Sequence, residues 1–370
     1  MIPLSHDLDA LHRSGIRVFT NLAKEVGGCV MLTLGEPDFP TPEPIKAAAV
    51  RALSQDMTHY APNQGLPELV AAIAEYEQVE PQQVLVTVGA TGALYTALTG
   101  ILNPGEEVIV PMPAFSLYET IVTAAGGKVV AIDTAWDGFQ LTADALAAAM
   151  SPRTKAIVLN SPNNPTGTVY SAESLDNVKQ AVLGKDIFVI CDNVYQRLAY
   201  GDCPDLSKDG ELCRQILLCQ SFSKPWAMTG WRVGYLIGPE DVMARLLLLH
   251  AAQVAAVPTF LQAACVQALK TDTEEMRLEY QRRRDYVLQR LEGMGLVCPK
   301  PEGAFYVFAD ISRFSLDSET FCTRAIREAK VAMVPGSCFG SDGHVRISYC
   351  CAMHALKEGL DRLERFIETL

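Results

Sequence analysis

The chain lacks the ligand spacings that a metal site needs. Its six histidines show no ligand spacing, and its eleven cysteines contain no Cys-x-x-Cys pair. Zinc and iron–sulfur centres require such clusters, so no metal is expected. The cysteines are odd in number and scattered, several of them (Cys191, Cys219, Cys350) within strand-like apolar runs. The adjacent pair Cys350–Cys351 has no metal-binding spacing. They read as reduced packing residues of a cytoplasmic protein. Basic charge is also short: 31 Lys and Arg face 43 Asp and Glu, for a net charge of −12. That balance argues against nucleic acid or an anionic membrane surface as the main partner, while leaving room for a local basic pocket. No apolar run is long enough to span a bilayer without interruption. The opening Met1-Ile2-Pro3-Leu4-Ser5-His6-Asp7 has no basic stretch leading into an apolar one, so no secretory leader is expected. Repeats and low-complexity tracts are absent as well.

What is present is an ordinary globular composition, 49% hydrophobic and 20% charged, over 370 residues. That length suffices for two domains sharing a cleft. Short, largely apolar runs recur at Val84–Val88, Glu107–Val110, Lys128–Ile132, Ala156–Leu159, Ile187–Cys191, Ile216–Cys219 and Val233–Ile237. Helical stretches separate several of them, including Leu66–Glu77, Ala143–Met150, Ser171–Leu183 and Pro258–Lys270. The pattern predicts an α/β fold, a mostly parallel sheet sandwiched by helices. Thr273–Met294 reads as a long charged helix bridging to a smaller α+β unit, with a strand at Ala304–Ala309, a helix at Ser318–Lys330, a strand at Val345–Tyr349 and a helix at His354–Leu370. We expect residues 36–272 to form the large domain. Residues 1–35 and 273–370 would form a discontinuous small one.

In such sheets, polar groups placed just after strands converge at one edge, where ligands bind. Four places fit. Gly89-Ala90-Thr91-Gly92 opens a helix, whose free amides and dipole favour a phosphate. Asn160-Ser161-Pro162-Asn163-Asn164-Pro165-Thr166-Gly167 follows the run ending at Leu159. Asp192 and Tyr195 follow Cys191. Ser221, Ser223 and Lys224 follow Cys219, with Thr229-Gly230-Trp231-Arg232 next. A cleft lysine can form an imine with an aldehyde cofactor and later carry a proton. A carboxylate can keep a ring nitrogen protonated so that the ring accepts electrons. Hydroxyls, an arginine and helix-end amides can hold a phosphate.

Taken in order, Asn-Pro-Thr-Gly, Asp-x-x-Tyr, Ser-x-Ser-Lys and Thr-Gly-Trp-Arg resemble a class I/II aminotransferase of fold type I, over nearly the whole chain. The resemblance implies pyridoxal 5′-phosphate on Lys224, with Asp192 on its pyridine nitrogen and Tyr195 and Asn164 on its phenolic oxygen. Ser221, Ser223 and Arg232, with the amides of Ala90 and Thr91, would hold the phosphate. Phe115 would stack on the ring. Tyr60 would reach the partner subunit's phosphate, implying a homodimer with shared active sites. Arg346 would grip the carboxylate of small amino and keto acids, with the amide of Gly35 nearby and Asn164 contributing. Each residue also has a plainer reading: Asp192 as a helix cap, Phe115 as core, Tyr60 as a loop pin, Arg346 as an ion-pair residue, Asn163 and Asn164 as turn residues.

Other reactions on the same fold, such as a carbon–sulfur lyase, place the lysine similarly. A nucleotide-binding α/β protein is the alternative from another class, but Gly89-Ala90-Thr91-Gly92 matches neither common phosphate-loop pattern. Some family members carry lysine at the position of Thr91 and use it to read a distal carboxylate. Thr91 therefore points to neutral donors, aromatic or aliphatic, with Phe19 and Tyr60 as candidates for an apolar substrate pocket.

Overall fold

The computed structural model describes residue 11 and residues 15–370. The helix Gly15–Val26 leads into a short strand, β1 (Val30–Met31). Seven strands then form the main sheet: β2 (Val84–Thr87), β3 (Glu107–Met112), β4 (Lys128–Asp133), β5 (Thr154–Asn160), β6 (Phe188–Asp192), β7 (Ile216–Ser221) and β8 (Gly234–Ile237). Their order across the sheet is β2-β8-β7-β6-β5-β3-β4. The run from β7 to β4 is parallel, as the alternation of strand and helix requires. β8 runs antiparallel to both β2 and β7. Every residue of β2, β7 and β8 is buried, because helices cover both faces of the sheet.

Beyond the helix Glu274–Gly293, a three-stranded antiparallel sheet has β12 (His344–Ser348) between β9 (Tyr306–Asp310) and β11 (Val334–Pro335). β10 (Val331–Ala332) pairs in parallel with β1, which ties the N-terminal segment to the C-terminal part of the chain. Phe19 and Ala23 join Tyr280, Phe305, Phe321, Leu360 and Leu363 in one core there. The helix Glu274–Gly293 buries two of its arginines, each with partners. Arg283 pairs with Asp38 at 2.8 Å and Glu279 at 2.9 Å, and Arg284 donates to the Pro301 carbonyl at 2.9 Å. Buried guanidinium groups are tolerable only with such partners.

Four helices escape the sequence pattern: Glu43–Ser54, Leu117–Ala124, Glu240–Val254 and Gly15–Val26. The second is rich in β-branched residues, and in the third four consecutive leucines blur the helical period. The helix expected over 318–330 is α-helical only to Arg324. It then widens into a π-helical turn, Ala325–Ala329, and stops at Lys330, whose φ is +56°. No helix among the described residues is long and apolar enough to cross a membrane.

Candidate active site

The carboxyl ends of the parallel strands open into one cleft, which receives residues from both parts of the chain. Of the residues singled out from sequence, Gly35, Ala90, Thr91, Phe115, Asn164, Asp192, Tyr195, Ser221, Ser223, Lys224, Arg232 and Arg346 all line it. Tyr60 does not. It is 91% exposed and lies beside a separate hollow with Ala256–Phe260. Phe19 is a correction: it is buried in the core of the C-terminal unit, and Ile16, one turn earlier on the same helix, faces the cleft instead.

Asp192 ends β6 and is buried. Its Oδ2 accepts a hydrogen bond from the Tyr118 hydroxyl at 2.5 Å, whereas Oδ1 is buried with no hydrogen-bond partner. Burial pushes its carboxyl up to about 6, against the lowering influence of the Tyr118 hydrogen bond, the nearby Val194 amide and Lys224. The Val194 amide lies close without completing a hydrogen bond. Asn160, at the end of β5, donates from Nδ2 to the Asp192 carbonyl at 2.8 Å. Its Oδ1 accepts from the Asn164 amide at 2.8 Å, which locks the Asn164 loop to β6.

β7 ends at Ser221, whose Oγ accepts from the Ser223 amide at 3.0 Å and shapes the turn that delivers Lys224. The Lys224 amine donates to the Gly35 carbonyl and lies 5.9 Å from the ring centres of Tyr195 and Phe305. Burial pulls its pKa down to about 8, assisted by Arg346 and Arg232 and opposed by Cys350 and Glu36. A lysine shifted this far by desolvation in a cleft marks a functional site. Arg232 adopts a left-handed backbone, φ +54°, and donates from Nη1 to the Thr229 carbonyl at 2.9 Å. Its other amino group lies against Gly89, where an added Cβ would sit 2.8 Å from Nη2. Gly89 also has φ +65°, a left-handed backbone that favours glycine. The helix Gly89–Ile101 has no side-chain cap, so its first amides are free beside Arg232.

Arg346, on β12, is 2% exposed. It donates from Nη1 to Asn164 Oδ1 at 2.8 Å and from Nη2 to the Thr33 carbonyl at 2.7 Å, and stacks over Tyr306 at 4.4 Å. The Tyr306 hydroxyl contacts that of Tyr195 at 2.9 Å. A side chain at Gly35 would come within 2.2 Å of the Tyr306 hydroxyl, so only glycine fits beneath it. Tyr118, Tyr306 and Ile16, with Leu94, Leu117 and Val194, are lining residues that sequence reasoning missed. Tyr118 had one usable signal, its position three residues after Phe115.

These residues fit an aromatic phosphate ester carrying an aldehyde. Arg232 and free helix amides lie at one end, an amine with a lowered pKa lies within the cleft, and Asp192 Oδ1 is a buried acceptor lacking a donor.

The family model of class I and II aminotransferases matches residues 28–363, and the chain belongs to that family. A Bacillus subtilis protein named "Probable N-acetyl-LL-diaminopimelate aminotransferase" is 40% identical, over 96% of this chain and 93% of that one. Aromatic-amino-acid aminotransferase 2 of Thermococcus litoralis is 39% identical, over 99% and 98%. The structure of aspartate aminotransferase from Thermus thermophilus with maleate superposes with a TM-score of 0.94 at 38% identity, covering 99% of this chain and all of that one. The chain is thus an aminotransferase, which sets aside the nucleotide-binding reading.

Proposed function

We propose that the cleft binds pyridoxal 5′-phosphate and moves amino groups between neutral L-amino acids and 2-keto acids. The observation that carries this reading is the pairing of the unpartnered Asp192 Oδ1 with the low-pKa amine of Lys224 in one cleft. When bound, the cofactor supplies an aldehyde for linkage to an amine and a ring that stabilises negative charge at the substrate Cα. Lys224 holds it, and with a pKa about 8 can take and return a proton near neutral pH. Asp192 Oδ1 accepts the ring N–H. Tyr195 and Asn164 hold the phenolic oxygen, and Phe115 packs on the ring. Arg232, Ser221, Ser223 and the amides of Ala90 and Thr91 hold the phosphate. Arg346 binds the substrate carboxylate with its remaining N–H groups, beside Asn164 and the Gly35 backbone.

The substrate side favours neutral donors. Among the described residues lining the cleft, the cations are Lys224, Arg232 and Arg346, all engaged in the roles above, while Ile16, Leu94 and Leu117 are apolar. Thr91 adds a hydroxyl and no charge. We therefore expect phenylalanine, leucine or alanine to match or exceed aspartate in kcat/KM with 2-oxoglutarate as acceptor. An aspartate advantage of about a hundredfold, roughly 2.7 kcal/mol, would overturn this specificity. Ammonia and pyruvate released without a keto acid would indicate lyase chemistry instead.

The proposal includes a cytoplasmic homodimer, with exposed Tyr60 completing the neighbour's phosphate site. A fully active monomer in sedimentation would contradict it. It also keeps the division into residues 36–272 and 1–35 with 273–370, supported by the pairing of β1 with β10.

A further inference from the structure

Tyr118 lies on the first turn of the helix Leu117–Ala124, directly after the segment that carries Phe115. Its ring is 1% exposed and packs among Ala114, Ile121, Val158 and Cys219, with Phe115 edge-on at 6.1 Å. The hydroxyl is the one polar atom it brings, and that atom is spent on Asp192 Oδ2 at 2.5 Å. A carboxylate held by one oxygen cannot rotate freely, so its second oxygen is held in a fixed direction. That second oxygen is the one buried without a partner.

We propose that Tyr118 is a positioning residue, which clamps one oxygen of Asp192 so that the other is presented, ionised, to the ring nitrogen of the cofactor. The inference rests on the pyridoxal-phosphate reading above. A hydrogen bond from a neutral donor stabilises the charged form of the carboxylate and lowers its proton affinity. The ring proton therefore stays on nitrogen instead of passing to Asp192. The other titratable groups facing this carboxylate are Tyr195, Cys191, Cys219 and Lys224. Burial pushes the phenols and thiols up, Tyr118 included, so they stay neutral donors or bystanders, and Lys224 is the other group that titrates near neutrality.

The test uses the full-length protein loaded with pyridoxal phosphate labelled with nitrogen-15 in the ring. Wild type, Tyr118→Phe, Asp192→Asn and the double variant are compared by nitrogen NMR, with circular dichroism and melting temperature as controls for folding. In Tyr118→Phe the equilibrium between protonated and unprotonated ring nitrogen should shift roughly tenfold toward the unprotonated form. Cofactor affinity should fall with it. In the Asp192→Asn background, Tyr118→Phe should move the nitrogen signal no further, because the path of the effect has been removed. A ring nitrogen as protonated in Tyr118→Phe as in wild type would overturn the inference while leaving the cofactor assignment intact. So would an undiminished shift in the Asp192→Asn background. A wild-type protein that binds no pyridoxal phosphate would overturn the cofactor reading and this inference together.

Discussion

Asp192→Asn should make the ligand-free protein more stable above about pH 6 while disabling it as an enzyme. The carboxyl is 3% exposed, and burial raises its pKa to about 6. A rise of about two pH units above the unfolded value corresponds to on the order of 3 kcal/mol in favour of the neutral form. The sign follows from proton binding. Well below about pH 4 both folded and unfolded states are protonated, and the group contributes nothing. Between about pH 4 and 6 the folded state binds more protons, so stability falls as pH rises, and above about 6 the full penalty is present. Asparagine carries no such penalty. It keeps an oxygen for the Tyr118 hydroxyl but leaves an amide N–H where Oδ1 stood, which costs roughly 1–2 kcal/mol. The net gain at about pH 8 is then on the order of 1–2 kcal/mol, vanishing or reversing near pH 4. Thermal unfolding of ligand-free protein at fixed protomer concentration measures it. Adding pyridoxal phosphate should reverse the order, because only the aspartate gains an ion pair. A variant offset that is the same at both pH values would refute the reasoning.

Two further outcomes follow from the same geometry. Arg346→Ala removes a bidentate, charge-assisted grip and frees Asn164 and the Thr33 carbonyl, so kcat/KM should fall by roughly a hundredfold for amino acid and keto acid alike; steady-state kinetics in both directions would show it, and unchanged values would place the carboxylate elsewhere. Reaction of ligand-free protein with pyridoxal phosphate needs the neutral amine of Lys224, so its rate should rise with pH through a midpoint near 8 rather than near the usual lysine range. Stopped-flow absorbance reads this directly, and a rate still climbing steeply well above that midpoint would refute the lowered pKa.

Much of the site was legible because its residues sit in linear order right after apolar strands. The motifs around Asn164, Asp192, Lys224 and Arg232 could be found without knowing which strand neighbours which. What escaped depends on facing rather than on order. Phe19 and Ile16 share one helix, and no single-sequence signal says which turn meets the cleft and which the core. Tyr118 looked like any buried aromatic until its hydroxyl was seen beside Asp192. In the fold, β8 is as apolar as the strands of the parallel run, so its reversed direction left no mark on its composition. Tyr306 was counted only as part of a strand, although its hydroxyl is what restricts residue 35 to glycine.

The central claim is that Lys224 carries the cofactor. Protein purified with pyridoxal phosphate, reduced with borohydride and digested, should yield one phosphopyridoxyl-bearing peptide, with the added mass on Lys224 and none in Lys224→Ala. The modification on any other lysine, or its persistence in Lys224→Ala, would contradict the account.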